Sequence, residues 1–424
     1  MFNHRSILLT VIASLLCFPL FAQLSHTFTI TANSHNQAYA YGVTVGSDGT
    51  FVLANFHDGL RASSYDGSSF TNTAHIDDGG SAYGVTVGSD GTVFIANLDD
   101  GLRAYSYDGS SFTNTAHTDS GERAKDVTVG PDGTVFLANE ADGLRAYSYN
   151  GSSFTNTAHI DSGGFAEDVT VVSDGTVFLA NGSDGLRAYS YDGSSFTNTA
   201  HIYDGSYAYG VTVVSDGTVF LANGSDGLWA YNYDGSSFTN TAHIDDGGNA
   251  CDVTVGPDGI VFLANSDDGL RAYSYDGSSF TNTAHIGVGF SSALGVTVGS
   301  DGTIFLASSS DGLSAYSYSG YVGIQDADSN IPSTYFLSQN YPNPFNPTTH
   351  LQYGLPETSN TKLIIFDVMG RKVNQWNKSN QQAGWHEVIW DGNDMHGNVV
   401  STGVYIYSLK AGDFIDTKKM VFMK

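Results

Sequence analysis

Apolar and polar positions in this chain alternate in runs of only four to seven residues, each closed by a polar turn. From residue 85 it reads V-T-V, G-S-D-G, T-V-F-I-A-N, L-D-D-G, L-R-A-Y-S-Y, D-G-S-S, F-T-N-T-A-H. The four apolar runs are β-branched or aromatic, and the Asp-Gly steps between them tolerate the positive φ that tight hairpins need. Nowhere does an apolar period of 3.6 persist long enough for a helix. The pattern therefore predicts four short antiparallel strands. Within the third run, bulky Arg103, Tyr105 and Tyr107 alternate with smaller Leu102, Ala104 and Ser106, which predicts a large face and a small face.

The same unit recurs. Its opening G/D-V-T-V motif starts at Gly42, Gly84, Asp126, Asp168, Gly210, Asp252 and Gly295, a spacing of 42 residues that becomes 43 at the last step. Four strands repeated at this period describe the blades of a β-propeller. The last copy stops after L-S-A-Y-S-Y at 313–318 without a fourth strand, while F-T-I-T-A at 28–32 lies 42 residues before F-T-N-T-A at 70–74. The N-terminal strand is thus expected to complete blade seven and close the ring, leaving no open inter-blade face. The fold class is all-β: a seven-bladed β-propeller closed by an N-terminal strand, plus a C-terminal immunoglobulin-like β-sandwich.

The 424 residues exceed what the repeats use. Arg5 followed by the apolar run 6–21 and a small residue, Ala22, reads as a signal peptide over 1–22. Leu16 ahead of Cys17 argues against lipidation, and removal of the leader leaves Cys251 alone, without a disulfide partner. The propeller is assigned to 23–322 and a linker to 323–334; the final domain takes 335–424. Up to residue 334 eight Lys and Arg face 36 Asp and Glu, a net −28, whereas 335–424 hold eight against seven, a net +1. Most of the acids are turn aspartates. Such a field excludes nucleic acid, which needs a basic patch to displace counterions.

The last domain carries an ordered set of motifs: F-L-S-Q-N-Y-P-N-P-F-N-P-T-T with Asn343 and Pro344, I-F-D-V-M-G-R-K-V with Gly370 and Arg371, A-G-W-H-E-V-I-W-D-G-N-D, S-T-G-V-Y-I-Y with Gly403 and Tyr405, and a T-K-K-M-V-F-M-K ending with Lys418 and Lys419. Its alternating runs and Gly turns describe a small immunoglobulin-like sandwich. The motifs resemble the C-terminal sorting domain of bacterial type IX secretion (the Por secretion tail). The resemblance implies export through the periplasm to an outer-membrane translocon, then cleavage, with the cargo released or held at the cell surface. With Asp391 as position 1, position 12 is Thr402 rather than Glu, so D-G-N-D reads as a turn and not a calcium loop. The blade pattern G-T-V-F-L-A-N-x-x-D-G-L-R-A-Y-S-Y resembles LVIVD-type repeats of bacterial surface proteins, a likeness that implies no reaction.

Comparison of the copies shows where they diverge. The G-S-D-G and Y-D-G-S-S hairpins hardly change, whereas the loop entering each blade and the loop after its second strand do. Both lie on one face of an up-and-down blade, and loops on a rigid scaffold carry function; drift in unconstrained turns is the alternative. The candidate ligand-binding face comprises Phe56, His57, Tyr83, Leu98, Glu122, Lys125, Glu140, Phe165, Glu167, Tyr207, Tyr209 and Phe290. Asp126, Asp168 and Asp252 replace Gly at the inner strand, where equivalents lie roughly 6 Å apart, and are candidate ligands for a hard cation such as Ca2+. The histidines at 75, 117, 159, 201, 243 and 285 lie on the outer strand, roughly 19 Å apart, too far to share a metal. The arginines at 61, 103, 145, 187 and 271 are expected to pair with turn aspartates between blades. No P-loop, H-E-x-x-H, nucleophile elbow or dinucleotide fingerprint occurs, so no catalytic residue is assigned. The function expected is an exported, non-enzymatic, monomeric propeller binding a protein or glycan at the cell surface; the alternative is a hydrolase or lyase with a divalent metal at the channel mouth.

Overall fold

The computed structural model describes residues 25–423 apart from 35–38, 47–48, 78, 204, 215, 290, 300, 322–334, 338–339, 341–344, 346–347 and 413. Residues 1–22 and 323–334, expected as signal peptide and linker, therefore lie outside the described residues. Seven four-stranded antiparallel sheets follow one another, six formed by one repeat each and the seventh by the last repeat with the N-terminal strand. Blade 2 shows the plan: Gly84–Val87, Val93–Ala96, Leu102–Tyr107 and Phe112–Thr118, from the channel outward. The inner strands touch in sequence, and that of blade 7 touches that of blade 1, so the ring is closed.

Closure uses the N-terminal strand. Ser25–Asn33 pairs with Gly312–Tyr321, placing Phe28 opposite Tyr318 and Ile30 opposite Tyr316. The strand is longer than the 28–32 expected. Phe28 is buried and packs 6.2 Å from Phe262 of blade 6, and Thr31 Oγ1 lies 2.5 Å from the Tyr65 hydroxyl of blade 1. One strand thus joins three blades.

The cores lie between blades rather than within them. Leu102 and Ala104 of blade 2 share a buried cluster with Val135 and Tyr147 of blade 3, so the small face of each third strand receives the neighbour's tyrosine. That is the large-on-small packing the alternation implies. Phe94 adds an edge contact to Tyr149 and a tilted one to Phe154 of the next blade. A bulge absent from the sequence reading lies between the third and fourth strands, where the register shifts at Ala104/Tyr105 and leaves Thr115 unpaired. Its hydroxyl donates to Ala104 O (3.1 Å) and lies 2.6 Å from Tyr149 Oη of blade 3. The equivalent Thr–Tyr bond crosses all seven blade boundaries.

The charged repeats have structural partners. Arg103 Nε lies 2.5 Å from Asp100 Oδ2, and His117 Nε2 lies 2.7 Å from Asp100 O. Each of these arginines thus bonds a turn aspartate of its own blade, three residues earlier, because the short second hairpin places that carboxylate beside the third strand. Arg271 also pairs, as expected, with an aspartate between blades, Asp246 of the loop that joins blades 5 and 6 (3.4 Å). Asp108 accepts from Ser110 N and Ser111 N, and these bonds hold its carboxyl down at about 2.

In the C-terminal domain a sheet of Phe336–Leu337, Thr349–Leu355 and Gly384–Trp390 faces one of Lys372–Gln381, Ser359–Asp367, Gly403–Ala411 and Phe414–Phe422. Trp390, Tyr407, Phe345 and Phe422 fill its core. Asp391 and Asp394 accept backbone bonds from Asn393, His396 and Asn398, as a turn requires.

Candidate functional site

The two variable loops of neighbouring blades meet at one place. Phe56, Leu98, Glu140, Gly182, Gly224 and Ser266, which follow the second strands, each form an antiparallel bridge with the alanine that enters the next blade. These positions take left-handed backbone, with φ of 42° at Phe56, 41° at Leu98, 42° at Glu140 and 49° at Ser266. Left-handed backbone costs a residue with a Cβ on the order of 1 kcal/mol relative to Gly. Gly182 and Gly224 occupy the same position in blades 4 and 5 and show that Gly suits it.

One residue further on, immediately before each inner strand, Tyr41, Tyr83, Lys125, Glu167, Tyr209, Cys251 and Leu294 form a ring around the channel mouth, one per blade. Tyr41 stacks on Tyr83 at 4.5 Å and meets Phe56 at 5.1 Å. The Lys125 ammonium lies 4.9 Å above the Tyr83 ring, 3.2 Å from Glu167 Oε2 and 3.7 Å from Glu140 Oε1. Tyr207 donates to Glu167 Oε1 at 2.6 Å and packs 4.6 Å from Tyr209. Tyr207 and Tyr209 lie where a Cβ on Gly182 or Gly224 would strike them, so the two glycines make room for the two rings. Burial, followed by the Glu167 charge, raises the Tyr83 hydroxyl; burial and its bond to Glu167 raise Tyr207. Burial also pushes the Cys251 thiol up to about 11, which leaves it protonated and inert.

The structure therefore brings Phe56, Tyr83, Lys125, Glu140, Glu167, Tyr207 and Tyr209 together. His57 stands at the rim, its Nδ1 3.1 Å from Ser81 Oγ, and Glu122 and Phe165 are exposed. Leu98 is only 3% exposed and packs inward, which removes it from the ligand-facing set. Phe290 lies outside the described residues. Tyr41 was missed, although its place 42 residues before Tyr83 could have found it.

Below the ring, Asp126, Asp168 and Asp252 begin inner strands. Each turns Oδ2 to the backbone N–H of the next blade: Val169 (3.2 Å), Val211 (2.6 Å) and Val296 (2.8 Å). Gly42, Gly84, Gly210 and Gly295 occupy the equivalent starts in the other blades, where an added Cβ would come within 3 Å of the next blade's backbone. The aspartates are inter-blade stitches. They do not form the six-to-eight-oxygen cage a hard cation takes, and among the described residues no group of three acids, histidines or cysteines is gathered to hold a metal. Burial pushes Asp126 up to about 6 and Asp252 to about 7; burial and the Asp126 charge hold Asp168 well above the usual range.

In the C-terminal domain, Gly370 closes the hairpin in which Arg371 Nε meets Asp367 Oδ2 at 2.7 Å. Tyr405 is buried and donates to Ser401 O at 2.6 Å; Gly403 starts that strand, and Lys418 and Lys419 lie on the last one. Asn343 and Pro344 lie outside the described residues.

Residues 345–413 match the family model of the FlgD Ig-like domain. No curated protein matches the chain. Among solved structures, the WD40 β-propeller domain of Doa1 is similar at a TM-score of 0.55 and 15% identity, over 69% of this chain and 97% of that one. PorZ, described as an essential surface component of the type IX secretion system of Porphyromonas gingivalis, is similar at 0.51 and 17%, over 92% of this chain and 60% of PorZ. A virginiamycin B lyase from Staphylococcus aureus is similar at 0.57 and 15%, over 70% of this chain and 100% of that one. At these identities the likeness speaks for fold, and the chain joins a seven-bladed β-propeller to a C-terminal immunoglobulin-like domain.

Proposed function

We propose that this chain is an exported, non-enzymatic propeller that binds a protein or glycan through its channel-mouth face. The observation that carries the reading is the asymmetry of divergence. Hairpins on one face repeat almost unchanged, while the other face gathers its differences into one contiguous aromatic and charged cluster. Phe56 and Glu140 keep their side chains there against the backbone preference for Gly.

Export is read from the apolar run of residues 6–21 and the motifs of residues 335–424. Residues 1–22 serve as the signal peptide, 23–322 as the propeller and 323–334 as the linker; 335–424 act as a type IX sorting domain read by the outer-membrane translocon, so the protein reaches the cell surface or the medium. The immunoglobulin-like fold and the propeller likeness to PorZ, a type IX surface component, support this assignment. The blades are read as LVIVD-like and the molecule as a monomer that does not bind nucleic acid.

The test is a glycan and protein binding screen on the full chain, with and without calcium, repeated with a Tyr41→Ala, Tyr83→Ala double variant. A ligand held by the parent and lost by the variant supports the mouth. One held equally by both overturns it.

A further inference from the structure

We infer that the mouth receives a lysine-bearing basic segment of a protein partner, seated as an ammonium against tyrosine faces and carboxylates. This deepens the binding reading above and rests on the mouth being the binding face.

The molecule already carries one such cation. Lys125 places its ammonium over the Tyr83 ring and beside Glu167 and Glu140, with only 11% of its side chain exposed. An ammonium set on an aromatic face and paired with carboxylates away from bulk water is held by the ring quadrupole and by charges that solvent screens weakly. The mouth is therefore built from the elements that hold an alkylammonium. Its tyrosines extend beyond the reach of one lysine: Tyr41 and Phe56 continue the stack on one side, and Tyr207 and Tyr209 flank Glu167 on the other.

Charge points the same way. Glu140 and Glu167 pair with Lys125 and Arg123, with Arg123 Nη1 3.5 Å from Glu140 Oε1, and the loops of the same face add the exposed acids Asp77, Asp99, Asp119, Glu122, Asp161 and Asp245. The chain to residue 334 carries a net −28. A face with excess negative charge concentrates cations and steers them toward it. A neutral glycan would use the tyrosine faces but would gain nothing from that field, and an anionic partner would be repelled by it.

The experiment titrates the full chain at physiological ionic strength with three probes: the peptide acetyl-Gly-Lys-Gly-Lys-Gly-amide, its glutamine counterpart, and neutral maltohexaose. The lysine peptide is expected to bind and the other two are not. Tyr83→Ala should weaken the lysine peptide at least fivefold. Lys125→Gln, which vacates the internal seat, should tighten it severalfold. Asp66→Asn with Asp108→Asn removes two charges from the opposite hairpins and should leave the affinity within twofold, separating the mouth from general attraction to an acidic protein. Binding of maltohexaose in place of the peptide overturns the cationic partner while leaving the mouth as a binding face. Equal binding of both peptides, loss of peptide binding in Lys125→Gln with the fold intact, or a fall in the hairpin variant as large as in Tyr83→Ala also overturns it. If no probe binds, the cationic partner is rejected, and the screen of the Tyr41 and Tyr83 variant alone decides whether the mouth reading falls too.

Discussion

At the residue scale, the channel aspartates show how one position serves two designs. At Gly42, Gly84, Gly210 and Gly295 the next blade's backbone leaves no room for a Cβ, whereas Asp126, Asp168 and Asp252 reach across and accept a hydrogen bond from a backbone N–H of the next blade. The carboxylates that result are crowded and partly dehydrated, so Asp252 holds its proton up to about 7 and Asp126 to about 6. The unfolded chain releases these protons near pH 4. Between those limits the folded state binds more protons, so this contribution to stability is present at low pH and is lost as pH rises through about 7. Turn aspartates such as Asp108, held at about 2, act below this window and with opposite sign. Asp252→Asn cannot ionise and keeps an acceptor for Val296 N–H. It should flatten the decline in urea-unfolding stability between roughly pH 4 and 7, by up to about 4 kcal/mol. Parallel profiles for parent and variant would remove Asp252 from the account.

At the element scale, the N-terminal strand is the least replaceable part of the ring. It supplies the outer strand of blade 7, a buried aromatic against blade 6 and a hydroxyl bond to blade 1. Deleting residues 25–33 should expose the edge of Gly312–Tyr321, lower the melting temperature by several degrees and promote association through that edge. A truncated ring as stable and monomeric as the parent would place closure elsewhere. The strand order and the seam were legible from the repeat. The bulge was not, because a run such as F-T-N-T-A-H carries no sign that Thr115 is the extra residue; only the partner strand defines it.

At the scale of the whole molecule, two parts of opposite character are joined: an acidic ring with its differences on one face, and a nearly neutral sandwich. Removing residues 335–424 should leave the ring in the periplasm, as measured by fractionation and surface labelling. Normal surface display of the truncated protein would overturn the sorting assignment. The ring owes little to this sandwich energetically, since each has its own buried clusters.

The sequence by itself determined the class, the strand count, the closing seam and the two-part plan, because a near-exact repeat turns every hairpin and every alternating face into seven statements of the same pattern. It also pointed to the face where copies differ. Tertiary structure decided what those differences make. Tyr41, Tyr83, Lys125, Glu167 and Tyr209 are 42 residues apart along the chain, and only the circular stacking of blades brings them to one mouth. It also turned Leu98 inward and gave the channel aspartates amide partners on the next blade. Which way a side chain points, and what stands opposite it, depends on the neighbouring blade, which lies a whole repeat away in sequence.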